Sequence, residues 1–308
     1  MSDGGSLITA APLRGAAIGA RRRAVRALDR LGLKPQAQRV ALRFGYLADT
    51  HTRARNRRRR VVGAPDGLPL PEPGDVQVIT GRSYDVQAYL ETGAESASSM
   101  REILARNDED LVRCSPILDF GCGVARVLRH LPLGDVELYG ADFNPRMLAW
   151  CQENIQEAQF ELCSANPPLP YRSGQFGLAY AVGVFTSFNA GQQLAWRDEM
   201  ARVLRPGGLL YITLQSEGYL RARGDRGHAN ADNLSPPERA ELASGGLVVH
   251  GERYGPDDTR PDHYVACQAI HSEQYVRSTL AAGFELVDIV PSGARDSQHD
   301  VALLRKPR

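Results

Sequence analysis

The chain has 308 residues, which is enough for one large domain with an extension or for two small domains. Hydrophobic residues make up 43% and charged residues 24%, a balance that excludes a wholly disordered chain. The formal net charge is only +1, but residues 1–62 hold 15 of the 37 Lys and Arg residues and only 3 of the 36 Asp and Glu residues. The composition therefore predicts an acidic globular part that follows a basic N-terminal segment.

The basic segment is predicted to be partly helical. Apolar residues recur at helical spacing among arginines in residues 15–45, and a second basic run follows at Arg53–Arg60. Residues 63–74 are rich in Pro and Gly, which prevents regular structure there. We therefore expect an N-terminal extension over residues 1–75 and a second domain over residues 76–308.

Three roles are open for this basic segment. It could lie on an anionic membrane surface, where each Arg adds about 1 kcal/mol of attraction. It could contact nucleic-acid phosphates, although it contains few aromatic residues that could stack on bases. It could also be a solvated helical segment without a partner. Peripheral membrane or acidic-glycan contact ranks slightly above nucleic acid.

From Ser115 onward, short apolar runs alternate with helical stretches. A helix is predicted from the end of the first run to Leu131, and others near 143–155, 192–204 and 272–282. Strands that alternate with helices predict a parallel sheet that is covered on both faces. Residues 217–268 interrupt this rhythm and are interpreted as an inserted lid. The strands are predicted at 117–120, 136–141, 160–163, 178–185, 209–214, 284–291 and 300–304.

The most informative stretch runs from Ile117 to Arg126 and reads ILDFGCGVAR. It predicts a buried strand, a glycine turn and the start of a helix, and glycine allows a ligand to approach the backbone closely. Asp142 ends the next strand, 19 residues after Gly123, where a carboxylate can accept both hydroxyls of a ribose.

Two classes of nucleotide ligand suit this arrangement. A dinucleotide site requires a third glycine at the position that Arg126 holds, and its pyrophosphate would be repelled by Asp119 at the end of the strand. The ammonium and sulfonium groups of S-adenosylmethionine would instead be attracted by Asp119. The residues therefore favour an adenosyl cofactor without phosphates.

Five motifs in order resemble those of class I S-adenosylmethionine-dependent methyltransferases. They are Ile117–Gly123, YGAD at 139–142, LPY at 169–171, Phe176–Phe185 and RVLRPGGLL at 202–210. The resemblance implies an α/β, Rossmann-like, seven-stranded, mostly parallel sheet with helices on both faces, its last strand antiparallel. It also implies S-adenosylmethionine as cofactor. No metal site is expected. The chain further resembles a bacterial subgroup that modifies glycans or small molecules.

The resemblance assigns the cofactor-binding roles. It places the methionine part of the cofactor on the first motif, the ribose on the acid that ends the second strand, and the adenine near the residues that follow. The sequence also departs from the family pattern at two positions. Ala125 replaces a common third glycine, and Ser187 stands where related sequences often have His. The expected cofactor-binding residues are Asp119, Gly121, Gly123, Asp142, Phe143, Asn166 and Val182.

Histidines in or just after the predicted lid are candidates for a general base. His263 and His271 are the candidate catalytic residues, and His250 lies nearby. Methyl transfer mainly requires in-line positioning, so a structural role is the commoner explanation for each histidine taken alone.

The leading hypothesis is an S-adenosylmethionine-dependent methyltransferase that acts on oxygen or nitrogen of a small-molecule or glycan acceptor. An RNA methyltransferase guided by the basic segment and a non-catalytic cofactor-binding module are the alternatives. The five cysteines form no CxxC pair, and no apolar run reaches the roughly 20 residues that cross a bilayer, so we expect a cytoplasmic protein with reduced thiols. The sequence does not indicate the acceptor or an oligomeric state.

Overall fold

The computed structural model describes residues 47, 49–80, 84–223, 234–250 and 267–308. The chain divides between Arg57 and Arg58, and the second unit contains the whole sheet. Residues 15–45, which were predicted to be helical, and the candidate base His263 lie outside the described residues.

Seven strands form the expected central sheet. Their spatial order is β3-β2-β1-β4-β5-β9-β8, and every neighbouring pair is parallel except those made by β9. The mostly parallel sheet with one antiparallel strand is therefore confirmed. The strands are β1 Ile117–Phe120, β2 Leu138–Asp142, β3 Ala158–Leu162, β4 Phe176–Ala181, β5 Leu204–Ser216, β8 Glu285–Ala294 and β9 His299–Arg305.

Two further strands extend the sheet beyond the expected seven. β6 (Leu247–His250) and β7 (Gln268–His271) pair antiparallel with each other. β7 also lies beside the carboxyl end of β5, where Gln215 and Ser216 pair in parallel with Ile270 and His271. Part of the segment interpreted as a lid is thus built into the sheet at its carboxyl edge.

Helices cover both faces of the sheet, as predicted. Neighbouring residues of β1 and β4 alternate between two buried clusters: Ile117 and Leu178 pack in one, and Leu118 and Ala179 in the other. The strands therefore consist of continuous apolar runs. The described helices are α1 Thr50–Val62, α2 Pro73–Thr80, α3 Val86–Ala105, α4 Pro145–Asn154, α5 Ala190–Val203, α6 Glu217–Arg223, α7 Pro236–Ala243 and α8 Glu273–Tyr275, which continues as a π-helical turn over Val276–Leu280.

The helix predicted from β1 to Leu131 is wrong. The chain instead makes successive turns and a short 3₁₀ helix at Leu128–His130. Ala125 has a φ of +56°, in the left-handed region, which interrupts helical geometry at the point where the helix would begin. The residue that replaces the family's third glycine thus keeps a glycine-like backbone conformation.

Candidate active site at the carboxyl edge of the sheet

The glycine turn lies at the carboxyl end of β1. Gly121 and Gly123 have φ values of +76° and +55°, a conformation that glycine adopts without strain. A Cβ atom on Gly121 would lie 2.5 Å from Cγ2 of Val184, and one on Gly123 would lie 2.7 Å from Cγ2 of Ile79. The turn is therefore packed closely on both sides, and its backbone requires glycine at both positions.

Asp142 ends β2 and is joined to the glycine turn by a hydrogen bond. The Gly123 N–H donates to Oδ2 at 2.8 Å, and the Asn144 N–H donates to Oδ1 at 2.8 Å. Asn144 also caps α4, with Pro145 in its first turn, so the chain turns into a helix immediately after the carboxylate. Burial raises the pKa of Asp142, and the backbone N–H groups of Asn144 and Gly123 oppose the rise. Both oxygens keep lone pairs that can accept further hydrogen bonds.

Asp119 lies inside the site, one residue before the end of β1. It is 4% exposed and pairs in register with Gly140 on one side and Tyr180 on the other. Burial raises its pKa to about 7, against the opposing effects of the Tyr180 hydroxyl and the Arg126 guanidinium. A buried carboxyl with this pKa ionises readily when a cation is placed beside it.

The remaining predicted cofactor residues follow β2, β3 and β4 at the same edge. Phe143 and Val182 are half-buried directly after β2 and β4. Asn166 lies four residues after β3 and its side chain is exposed, while the neighbouring Ala165 carbonyl accepts a hydrogen bond from Trp196 Nε1 at 3.3 Å. The structure thus brings Asp119, both glycines and Asp142 together, with Phe143 and Val182 beside them.

His271 is a buried residue with both ring nitrogens engaged. It is 1% exposed, its Nδ1 lies 3.1 Å from the Gln215 carbonyl oxygen, and its Nε2 lies 3.0 Å from Gln193 Nε2. Because a carbonyl can only accept, Nδ1 carries the proton and Nε2 accepts from the Gln193 amide. Burial lowers the pKa of His271 to about 4. His250 is half-exposed, and its Nδ1 lies 3.0 Å from Glu238 Oε1.

Sequence reasoning missed Arg126 as a residue of this edge. Its Nη1 donates to Asp296 at 3.1 Å, in the turn between β8 and β9, and lies 3.4 Å from the Ser96 hydroxyl. Its guanidinium also lowers the pKa of Asp119. The signal is its position three residues after Gly123, where it also argues against a dinucleotide site.

A chain of polar side chains at the end of β5 was also missed. Gln268 Nε2 donates to Gln215 Oε1 at 2.8 Å, and Gln215 Nε2 lies 3.3 Å from His299 Nε2. The Tyr219 ring packs edge-on against His299, with centroids 4.7 Å apart. Gln215 could have been found from the sequence, because it is the first polar residue after the apolar run of β5.

Residues 118–212 match the family model described as a methyltransferase domain. The match covers the glycine turn, Asp142 and strands β2 to β4. The chain therefore contains a methyltransferase domain over these residues.

Three solved structures are similar to the chain at low sequence identity. The glycopeptide N-methyltransferase MtfA complexed with sinefungin is 15% identical, with 69% of this chain and 94% of that chain covered and a TM-score of 0.46. DesVI of Streptomyces venezuelae is 13% identical, with 70% and 92% covered and a TM-score of 0.43. A SAM-dependent methyltransferase from Methanosarcina mazei is 18% identical, with 62% and 92% covered and a TM-score of 0.42.

Among the described residues, no three His, Cys, Asp or Glu side chains form a group that could hold a metal ion. Across the same residues, no helix is both long enough and apolar enough to span a bilayer.

Proposed function

We propose that this chain is an S-adenosylmethionine-dependent methyltransferase, which transfers a methyl group to oxygen or nitrogen of a small-molecule or glycan acceptor at the carboxyl edge of β1, β2 and β4. The observation that carries the proposal is the pair of buried carboxylates, Asp119 and Asp142, on either side of the glycine turn. Two buried acids repel a pyrophosphate and attract a cationic ligand.

The charges of the site fit the cofactor. Asp119 has a pKa of about 7, so a positive group beside it is needed to keep it ionised below that pH. The ammonium of the methionine part supplies such a group, and we assign Asp119, Gly121 and Gly123 to that part. Asp142 is assigned to the ribose, since carboxylate oxygens have lone pairs that can accept from hydroxyls as well as from backbone N–H groups. Phe143, Asn166 and Val182 are assigned to the adenine and the cofactor amine.

S-adenosylmethionine supplies the methyl group on a sulfonium centre, so the residues of this chain need mainly to align the acceptor. We assign His271 a structural role, because its Nε2 can take up a proton only after the hydrogen bond from Gln193 is broken. His263 remains a prediction as a general base. Proton loss from the acceptor to water is compatible with the proposal.

We propose that the acceptor lies against the Gln268–Gln215–His299 chain at the end of β5. Carboxamides both donate and accept, and therefore suit the hydroxyl groups of a glycan or the polar groups of a small molecule. Helix α6 and the β6–β7 hairpin adjoin this end of β5. Helices α6 and α7 and strand β6 lie within the segment that was interpreted as a lid.

The role of the basic segment remains a prediction from the sequence. Its described part, helix α1, has exposed side chains at Arg53, Arg55, Arg57 and Arg58. Contact with RNA or with an anionic membrane predicts binding that weakens steeply with added salt. If binding to RNA and to anionic vesicles does not change with added salt, the remaining role is that of a solvated helical segment without a partner.

Calorimetric titration tests the cofactor site directly. We expect S-adenosylmethionine and S-adenosylhomocysteine, but not NAD, to bind the wild type, and binding to weaken strongly in Asp142→Asn. Asp135→Asn is the matched control, because Asp135 is an exposed acid in the turn before β2, at the opposite end of that strand. Equal binding by both variants would refute the site.

Transfer of a labelled methyl group tests the acceptor class. Label that enters hydroxylated glycans or small metabolites supports the proposal. Label that is lost after ribonuclease treatment supports the RNA alternative. Cofactor binding without transfer to any fraction supports the non-catalytic alternative.

A further inference from the structure

The Pro/Gly-rich loop before α2 is attached to the sheet domain through one buried arginine. Arg129, in the 3₁₀ helix after the glycine turn, has a side chain that is 0% exposed. Its Nε donates to Asp66 Oδ2 at 2.7 Å, and its Nη2 donates to Asp66 Oδ1 at 2.8 Å and to the Leu68 carbonyl at 3.2 Å. Its Nη1 donates to the Pro69 carbonyl at 3.2 Å and to the Tyr89 hydroxyl at 3.3 Å. All five N–H donors of the guanidinium are therefore used.

Tyr89 extends this network to the glycine turn. Its hydroxyl accepts from Arg129 and donates to the Val124 carbonyl at 2.8 Å, and the residue is completely buried. Val124 directly follows Gly123, in the stretch where turns replace the predicted helix. A side chain 35 residues away in sequence therefore holds the Val124 carbonyl in place through a hydrogen bond.

An apolar cluster supports the same place. Val76 of α2, Tyr89 and Leu90 of α3, Val124 after the turn and Met147 of α4 pack together. Ile79 of α2 lies directly against Gly123. Residues that precede the matched region 118–212 thus contact the turn, in addition to Asp142, which lies within that region.

We infer that Asp66, Arg129 and Tyr89 are positioning residues that hold the glycine turn in the conformation that binds the cofactor. Burying a guanidinium without an ionic partner costs free energy, so Arg129 requires Asp66. Arg129 in turn holds the Tyr89 hydroxyl, which is hydrogen-bonded to the Val124 carbonyl. The inference rests on the proposed role of the turn in binding. It assigns a role in cofactor binding to the loop at residues 63–72, which the sequence had placed in a separate extension.

Two variants and one control test this inference. Tyr89→Phe removes the hydroxyl that bonds to Val124, and Asp66→Asn removes the charge that pairs with Arg129. Tyr171→Phe is the control, because Tyr171 is also buried and its hydroxyl also donates to a backbone carbonyl, that of Gly140, at 3.2 Å. Dissociation constants for S-adenosylhomocysteine, melting temperatures, and hydrogen exchange of the amides at residues 122–126 without ligand are measured for all three variants and the wild type.

We expect both test variants to bind S-adenosylhomocysteine about 5- to 20-fold more weakly, in line with the loss of one buried hydrogen bond. Exchange at residues 122–126 should be faster in both. Tyr171→Phe should lower the melting temperature by a similar amount and keep the wild-type dissociation constant and exchange. If Tyr89→Phe and Asp66→Asn both bind within twofold of the wild type, or if Tyr171→Phe weakens binding equally, the positioning role is refuted. A wild type that binds no adenosyl ligand refutes the proposed function instead, and the exchange rates still decide whether Tyr89 holds the turn.

Discussion

Asp119 connects the burial of the site to a measurable pH dependence. Its carboxyl has a pKa of about 7 in the ligand-free protein because it is buried. A cationic ligand favours the ionised form, so binding at low pH must release a proton. The affinity for S-adenosylhomocysteine should therefore rise as the pH increases toward 7 and level off above it.

The size of this effect follows from the pKa. About 3% of the carboxyl is ionised at pH 5.5 and about three quarters at pH 7.5, so the association constant should increase by roughly 25-fold between these values. Asp119→Asn removes the charge. Its affinity at pH 7.5 should be about 10- to 100-fold lower, which is the usual range for a hydrogen bond to a charged group.

The same substitution should stabilise the ligand-free protein at high pH. The folded pKa lies above the ordinary value of 3.8, so the ionised carboxylate reduces the free energy of unfolding as the pH rises from about 4 to above 7. A difference of about three pKa units corresponds to about 4 kcal/mol at pH 8. Asp119→Asn should thus gain stability while it loses binding.

Calorimetry from pH 5.5 to 7.5 in buffers of different ionisation enthalpy measures both the affinity and the proton release. Urea unfolding at pH 8 measures the stability, and circular dichroism at each pH checks that the protein is folded. The reasoning fails if the wild-type affinity does not change over this range while the protein stays folded. It also fails if Asp119→Asn binds as tightly as the wild type at pH 7.5.

Three further predictions concern the turn and the buried histidine. Gly121→Ala should abolish S-adenosylhomocysteine binding in calorimetry and lower the melting temperature, because its Cβ would lie 2.5 Å from Val184 Cγ2; wild-type affinity would contradict the packing. Ala125→Gly should leave the free energy of unfolding unchanged or raise it by up to about 1 kcal/mol, because a left-handed φ costs alanine about 1–2 kcal/mol. The control Ala179→Gly, in the buried strand β4, should lose about 1 kcal/mol in the same urea titration. Burial lowers the pKa of His271 from 6.5 to about 4. The unfolded chain therefore binds a proton at this residue more readily than the folded protein does. The free energy of unfolding should fall by about 2 kcal/mol as the pH decreases from 7 to 5. His271→Gln should remove this part of the pH dependence of urea unfolding, and an unchanged dependence would show that the ring is not held neutral.

The central features of the cofactor site could be predicted from the sequence because their signals are local. Asp119, Gly121 and Gly123 lie within five consecutive residues, and the left-handed backbone of the turn requires glycine whatever surrounds it. The continuous apolar runs of β1, β2 and β4 predicted strands that are buried on both faces. Asp142 was found because parallel strands bring their carboxyl ends to one edge.

The surroundings of each ionisable side chain could not be predicted in this way. His271 was a candidate base by residue type, but only the packing of β7 beside β5 shows that its ring is enclosed and its nitrogens are engaged. Likewise, the β6–β7 hairpin lies in a segment without clear periodicity, so its pairing with β5 was not visible beforehand.

The sequence by itself determined the class of fold, the glycine turn and the two acids, since backbone conformation and the period of burial depend on neighbouring residues. The tertiary structure alone decided that Arg129 reaches Asp66, 63 residues earlier, and that Tyr89 bonds to Val124, 35 residues later. It also decided that Asp119 has a pKa near 7. Charge pairing and desolvation depend on which distant segments meet and how completely they exclude water, and no local pattern records that.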